Sequence, residues 1–455
     1  MDTNAPAGAV DNVSGVAAGK AEARPRLAYI MSRFPKISET FVLYEILALE
    51  AQGLQVEVFP LLREHQTISH PEAAAVVARA HYHPFLSWRI LQAVLYFLLH
   101  RPIATLRVLL EVLRGTLASR NFFIGALGIF PKTVRFAYEM QRLGVEHVHA
   151  HFATHPALAA LIVHRLTGIP FSFTAHGSDL HVDRCMLEHK VRAAAFAITI
   201  SAFNREVMVQ ECGEELRQRI HVVHCGVDPA VFAPGAPDAH AGAGGSVLRL
   251  LCVASLEEVK GHRILIEACA ELVARGVRLR CDLVGEGPQR RAIETQIEAA
   301  GLGDTVRLHG NLPRPVVSRM MAAADIFCLA SVPTRDGKRE GIPVVLMEAM
   351  ATGLPVVSSR LSGIPELVED GVVGVLVEPR DSLGLAAVLE QLAGDPDRRH
   401  ALGQAGRRRV EMHFDLHQNA RRLAALFVDH AVHETQRAGR CIQAAASYGP
   451  QVNDA

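Results

Sequence analysis

The chain has 455 residues, 49% hydrophobic and 21% charged, with 47 basic side chains balanced by 47 acidic ones. That length implies two domains of roughly 200 residues each, and the composition is that of a globular protein, not a disordered one. Zero net charge, 5% aromatics and a single tryptophan argue against nucleic acid as a partner, because they supply neither a positive field nor a base-stacking surface.

Residues 1–25 lack a basic segment followed by an apolar block and read as a disordered tail, not a secretory signal. Residues 437–455 read the same way. The eight cysteines lie beyond residue 180, none forms C-x-x-C, and several sit in apolar runs. Reduced, buried thiols in a cytoplasmic protein are expected.

The first predicted strand is "RLAYIMS", Arg26 to Ser32. It breaks at "RFPKISET" and is followed by an amphipathic helix over 40–53, with Gly53 at the C-cap position. A second strand, "LQVEVFPLL", completes the opening of a doubly wound α/β sheet. Residues 71–140 instead read as strongly apolar helices. Their longest uncharged run, Ile90 to His100, is too short for a bilayer span of about 20 residues. Between Ala73 and Tyr138 eight Lys/Arg face one acid, Glu111. Two readings stay open: core helices with a solvated basic face, or a basic, apolar surface resting on an anionic membrane at its cytoplasmic side.

Alternation then resumes with strands in "HVHAHFA", "PFSFTAH", "AFAITIS" and "RIHVVHCGVD", completing a first domain over 26–232. A Pro-, Gly- and Ala-rich linker is predicted over 233–246. A second domain, 247–415, alternates strands ("VLRLLCVAS", "LRCDLVGEG", "TVRLHGN", "DIFCLAS", "PVVSSR", "GVLVEP") with helices, the pattern of a second parallel sheet. A helix over 416–436 closes the chain.

In such domains ligands sit beyond the carboxyl ends of the strands, so residues just after each strand are the candidates. "REGIPVVLMEAMATG" places Glu340 before a helix, Pro343 at its first position, Glu348 on its early turns and Gly353 past its end. A helix start attracts phosphate, and flanking carboxylates can accept hydrogen bonds from sugar hydroxyls. In "VASLEEVKGH", Lys260 stands at the next helix start, where a lysine can neutralise a diphosphate. Ser255, Gly285 and Gly287 are further candidate donor-binding residues, the serine able to hydrogen-bond a phosphate oxygen and the glycines allowing close backbone approach. The glycines do not complete G-x-G-x-x-G, since Arg290 occupies the third glycine position.

"VEHVHAHFATHP" carries His147, His149, His151 and His155. Strand alternation puts the first three on one face, about 7 Å apart in pairs, which does not bring them to one point as zinc requires. Acceptor recognition, with His151 foremost, and plain packing are the two remaining readings.

With "EGIPVVLMEAMATGLPVV", "LEEVKGH", "LVGEGP", "SGIPELVEDGVVGVLV" and "FTAHGSDL", residues 26–430 resemble the retaining glycosyltransferases of family 4. Their GT-B fold has two Rossmann-like, doubly wound parallel-sheet domains facing across a cleft. The opening "SRFPKISETFVLYEI" is similar to members that build bacterial exopolysaccharides of the colanic-acid type. The resemblance implies hexosyl transfer, with retention, from a nucleoside diphosphate sugar to a glycan or lipid-linked saccharide, with no metal or other cofactor. It implies that His176 and Glu340 contact the donor sugar, Glu348 the ribose and Lys260 the diphosphate. Gly341, Ile342, Pro343 and Val344 would cap the phosphates, using the N–H groups of residues 342–345. Ser38, Glu39 and Thr40, with His151 and Asp179, would face the acceptor, and the domains would close about a hinge near 230–247. Ser255 stands where family members commonly carry an arginine. Two alternatives are another activity on the same fold, such as a nucleotide-sugar epimerase or a phosphorylase, and a non-catalytic glycan-binding relative.

Overall fold

The computed structural model describes residues 24–36, 39–64, 72–234 and 247–430. Nearly all of both predicted tails, most of the predicted linker, and Ser38 lie outside the described residues.

Two six-stranded sheets form, and every strand pair in them is parallel. The first contains β1 (Arg26–Phe34), β2 (Gln55–Arg63), β3 (His147–His151), β4 (Phe171–Ala175), β5 (Phe196–Thr199) and β6 (Ile220–Val222), in the order β2-β1-β3-β4-β5-β6. The second contains β7 (Leu248–Val253), β8 (Leu279–Val284), β9 (Val306–Leu308), β10 (Ile326–Leu329), β11 (Val356–Ser359) and β12 (Val375–Val377), in the order β12-β11-β10-β7-β8-β9. Helices cover both faces, which is why strands such as β4 and β10 are buried at every position. Strand order reverses between β1 and β3 in the first sheet and between β7 and β10 in the second. These are the two places where a doubly wound sheet opens a crevice for ligand.

The helix Thr40–Ala51 follows β1 and ends two residues before Gly53, whose φ of +85° is the left-handed conformation that glycine adopts without strain. The apolar segment between β2 and β3 folds into helices Ala73–Arg79, Trp88–His100, Pro102–Thr116 and Arg120–Leu143. Phe97, Val112, Phe122 and Phe136 from this segment join Ile30 and Phe59 in one core beside the first sheet. The last helix, 416–430, does not stay with the second domain. Its Leu416, Ala420, Leu423 and Phe427 pack with Leu27, Tyr29, Val42 and Val58 of the first. The crossing is sewn by Val227 N–H to the Phe414 carbonyl at 2.9 Å and Leu416 N–H to the Val227 carbonyl at 3.0 Å. Gly226 is required there, because a Cβ would lie 2.6 Å from the Leu416 backbone. The seven cysteines among the described residues are free thiols; Cys185 and Cys225 are half-buried and the others buried.

Candidate functional site

The loops after β7 and β10 meet at the second switch point. After β7, a 3-10 turn at Glu258–Lys260 leads through Gly261, φ +68°, into the helix His262–Ala274. Gly261 lies against the Ala330 carbonyl with no room for a Cβ, and Val332 N–H donates to the Val259 carbonyl at 2.9 Å. This contact brings Lys260 to Glu340, and the two form an ion pair with both side chains largely buried. The helix beside Glu340 begins at Val344, one residue later than the sequence suggests, with Pro343 as its N-cap. Proline has no N–H, so Val344 and Val345 offer the unpaired donors of this helix start. Thr352 is the C-cap, and Gly353 follows in the left-handed region.

Glu348 sits one turn into this helix. Burial pushes its carboxyl up to about 7, against the pull of the Arg314 guanidinium. Arg314 lies over the rings of Tyr44 at 4.2 Å and Phe232 at 4.7 Å. A residue of the first domain therefore helps to hold the cation that faces Glu348. Sequence reasoning missed Arg314, although it opens the helix that follows β9, where the rule about strand ends points.

Gly285 and Gly287 do allow a close approach, but to the neighbouring loop. A Cβ on Gly285 would strike the Ala254 carbonyl, and one on Gly287 would lie 2.6 Å from the Leu256 oxygen. They shape the ground beneath Ser255, whose hydroxyl donates to Glu257 Oε1 at 3.3 Å. Glu257 is in turn paired with Lys338, a second cation beside the position where an arginine is usual.

From the first domain, the turn after β4 reaches across. A Cβ on Gly177 would lie 3.1 Å from the Gly341 nitrogen, and one on Gly341 would lie 2.5 Å from the His176 carbonyl oxygen. Two glycines thus let the His176 turn and the Glu340 turn touch backbone to backbone. The His176 ring lies 4.7 Å from those of Phe41 and Phe152, and Asn204 Nδ2 donates to its carbonyl at 3.2 Å. Asp179, expected on the acceptor side, is buried. It accepts N–H groups from Ala153 at 2.8 Å, His176 at 3.0 Å and Gly177 at 2.7 Å. Burial raises its carboxyl while these N–H groups hold it down, so its work is to shape the His176 turn. Glu39 pairs with Lys36 just before the helix that Thr40 begins, and both Glu39 and Thr40 are half-buried.

The three histidines of β3 do share a face, and Tyr29 and Phe427 cover it. His147 Nε2 and His149 Nδ1 both reach Ser172 Oγ, at 2.7 and 2.8 Å, and His149 Nε2 reaches Thr174 Oγ1 at 2.9 Å. His151, expected to touch the acceptor, is fully buried. Its Nδ1 lies 3.1 Å from His176 Nε2, and its Nε2 lies 3.1 Å from Glu45 Oε1. Burial lowers the pKa of His147 to about 3 and those of His149 and His176 well below the usual histidine value. Ligand atoms of Glu45, His149 and His151 fall within 4.8 Å of one another. Every ring nitrogen of that group already has a partner, so the cluster is built as a hydrogen-bond network and a metal would have to break it.

The profile described as Glycosyl transferases group 1 matches residues 243–409, and that described as Glycosyltransferase Family 4 matches residues 38–231. The chain is 33% identical over 428 residues to the putative colanic acid biosynthesis glycosyltransferase WcaL of Escherichia coli K12, covering 88% of this chain and 99% of that one. It is 33% identical over 422 residues to the amylovoran biosynthesis glycosyltransferase AmsK of Erwinia amylovora, covering 88% and 98%. Among solved structures, Anabaena HepE in complex with UDP superposes with a TM-score of 0.67 at 16% identity, over 89% of this chain and all of that one. Sucrose-phosphate synthase from Thermosynechococcus elongatus superposes with a TM-score of 0.63 at 20% identity, over 89% and 99%. These likenesses establish the GT-B architecture.

Proposed function

This chain belongs to the family 4 glycosyltransferases of exopolysaccharide biosynthesis, and from that premise we propose that it moves a hexosyl group, with retention, from a nucleoside diphosphate sugar to a hydroxyl of a glycan or lipid-linked saccharide. One observation carries the reading: the Lys260–Glu340 pair lies beside the start of the helix Val344–Ala351, facing the His176 turn across the Gly177–Gly341 contact. Donor entry exchanges the ion pair for ligand. Lys260 turns to the diphosphate, Glu340 accepts hydroxyls of the sugar, and Glu348 accepts those of the ribose. The acceptor oxygen then bonds to the anomeric carbon on the face from which the phosphate oxygen departs, and the acceptor proton passes to that oxygen. Lys260 and the N–H groups of Val344 and Val345 stabilise the charge that develops, so the proposal includes no metal or other cofactor.

The test is a panel of UDP-, GDP-, ADP- and dTDP-sugars assayed for nucleotide release, beside Glu340→Ala. Release from one donor that disappears in the variant supports the reading. Absence of both release and nucleotide binding across the panel refutes it.

A lipid-linked acceptor fits a further feature. Fourteen of the twenty-one large hydrophobic side chains exposed among the described residues fall between Phe85 and Leu127, and such clustering marks a docking face. The helix Trp88–His100 turns Ile90, Ala93 and Phe97 inward but Trp88, Leu91, Leu95 and Leu99 outward. The helix Pro102–Thr116 turns Val108 and Val112 inward but Ile103, Leu106 and Leu110 outward. Arg89, Arg107 and Arg114 stand exposed among these residues. No single helix among the described residues is long and apolar enough to cross a membrane, and this pair is bent by 115°. Apolar stripes mixed with arginines suit the surface of an anionic bilayer at its cytoplasmic side. Wild type should sediment with phosphatidylglycerol vesicles at low salt, and the double variant Leu95→Asp/Leu106→Asp should not. Wild type remaining in solution, or forming a dimer through this face, would contradict the assignment.

A further inference from the structure

The network behind His176 does more than fill space. Glu45 comes from the middle of the helix Thr40–Ala51, His151 from the end of β3 and His176 from the turn after β4. The three lie in line: Glu45 Oε1 to His151 Nε2 at 3.1 Å, then His151 Nδ1 to His176 Nε2 at 3.1 Å. Tyr29 OH donates to the same Glu45 oxygen at 2.9 Å. Only His176 stands at the contact between the domains, and its Nδ1 makes no hydrogen bond to the described residues.

We infer that Glu45 and His151 are positioning residues that fix the tautomer of His176, so that it offers an unprotonated Nδ1 to a hydroxyl of the bound substrates. The chemistry follows from one end of the line. Glu45 Oε1 already serves as an acceptor for Tyr29 OH, and a carboxylate oxygen in that role takes a proton from His151 Nε2–H as well. In the inferred arrangement that is the only proton on His151, so its Nδ1 is bare and accepts from His176 Nε2–H. That leaves His176 Nδ1 as a lone pair. Two features hold the arrangement. Burial holds the His176 pKa well below the usual histidine value, and the rings of Phe41 and Phe152, tilted against it at 4.7 Å, hold the imidazole in place. The groups around the chain agree with it. Tyr29 donates to Glu45, His149 is occupied by Ser172 and Thr174, and Asp179 is engaged by backbone N–H groups. None of these competes for His151 or for His176 Nδ1. The substrate group that meets His176 is therefore a hydroxyl donor, the chemistry of a sugar or an acceptor alcohol, not a phosphate or carboxylate.

This inference rests on the glycosyl-transfer reading for its purpose but not for its test. Histidine-selective 15N labelling reads the tautomers of the full chain directly, with His176→Gln and His151→Gln assigning the two signals. Both rings should be protonated on Nε2 and bare on Nδ1. Glu45→Met removes the acceptor and should leave His176 exchanging between tautomers. Glu45→Gln, whose amide oxygen can still accept from His151, should keep the wild-type signal. In turnover, Glu45→Met should lower kcat about tenfold with donor KM within about twofold, and Glu45→Gln should restore most of the loss. A His176 protonated on Nδ1 in wild type, or an unchanged His176 signal in a folded Glu45→Met, overturns the inference. A wild type that releases no nucleotide counts against the transferase reading instead, and the spectrum still decides the tautomer.

Discussion

Glu348→Gln should make the protein more stable above neutral pH and a poorer binder of donor. Burial raises the Glu348 carboxyl from its ordinary 4.5 to about 7, which corresponds to about 3 kcal/mol at 1.36 kcal/mol per tenfold change. The sign follows from proton linkage. Below pH 4.5 the group is protonated in both folded and unfolded chains and costs nothing. Between pH 4.5 and 7 the unfolded chain releases the proton while the folded protein keeps it, so stability falls. Above pH 7 the folded protein bears the whole cost of a buried charge, offset only by Arg314. Glutamine keeps the shape and never ionises. Thermal unfolding of wild type and variant at pH 5 and pH 8 reads the difference, with roughly 2–4 °C expected per kcal/mol for a domain of this size. The variant should gain at most about 1 kcal/mol over wild type at pH 5 and roughly three times that at pH 8, with a correspondingly larger rise in unfolding temperature. An equal or lower temperature at pH 8, or the same gain at both pH values, would refute the reasoning. The same ionisation should strengthen wild-type donor binding about tenfold between pH 6 and 8, a rise that calorimetry should not find in the variant.

Lys260→Ala removes the cation proposed to meet the diphosphate, and kcat should fall by about 10²–10³ in a nucleotide-release assay, while leaving circular dichroism unchanged. Gly341→Ala places a Cβ 2.5 Å from the His176 oxygen and 3.0 Å from Ile200 Cδ1. It should hold the two turns apart and cut turnover at least about tenfold, with nucleotide affinity measured by calorimetry little changed. Asp179→Asn weakens a carboxylate that serves three N–H groups and should cost about 1–3 kcal/mol in urea unfolding.

The strand succession and the tandem sheets were legible because buried parallel strands are continuous apolar runs, and each is punctuated by a helix. The places of Glu340, Glu348 and Lys260 beside helix starts were legible because strand ends and helix starts are marked locally in the sequence. What the sequence hides is pairing between distant segments. Tyr44 and Glu45 look like two positions on an amphipathic helix, and nothing local shows that Arg314 or His151 will meet them. Strand alternation placed the three histidines on one face. The register of β3 on β4, His149 opposite Ser172 and His151 opposite Thr174, decides that they are satisfied by hydroxyls and by His176, and this buries His151 behind the cleft wall. The return of helix 416–430 to the first domain is likewise invisible locally, because its apolar stripe fits either core. The apolar segment between β2 and β3 left two readings open because the inward and outward faces of its helices are both apolar. Only the packed structure shows which side chains remain exposed.

The most direct test of the central claim is the anomeric configuration of the transferred or released sugar, followed by proton NMR with the donor that the nucleotide panel identifies, before mutarotation. The account predicts turnover with the donor's configuration kept, and no turnover in Glu340→Ala. An inverted product, or turnover that survives Glu340→Ala, would contradict it.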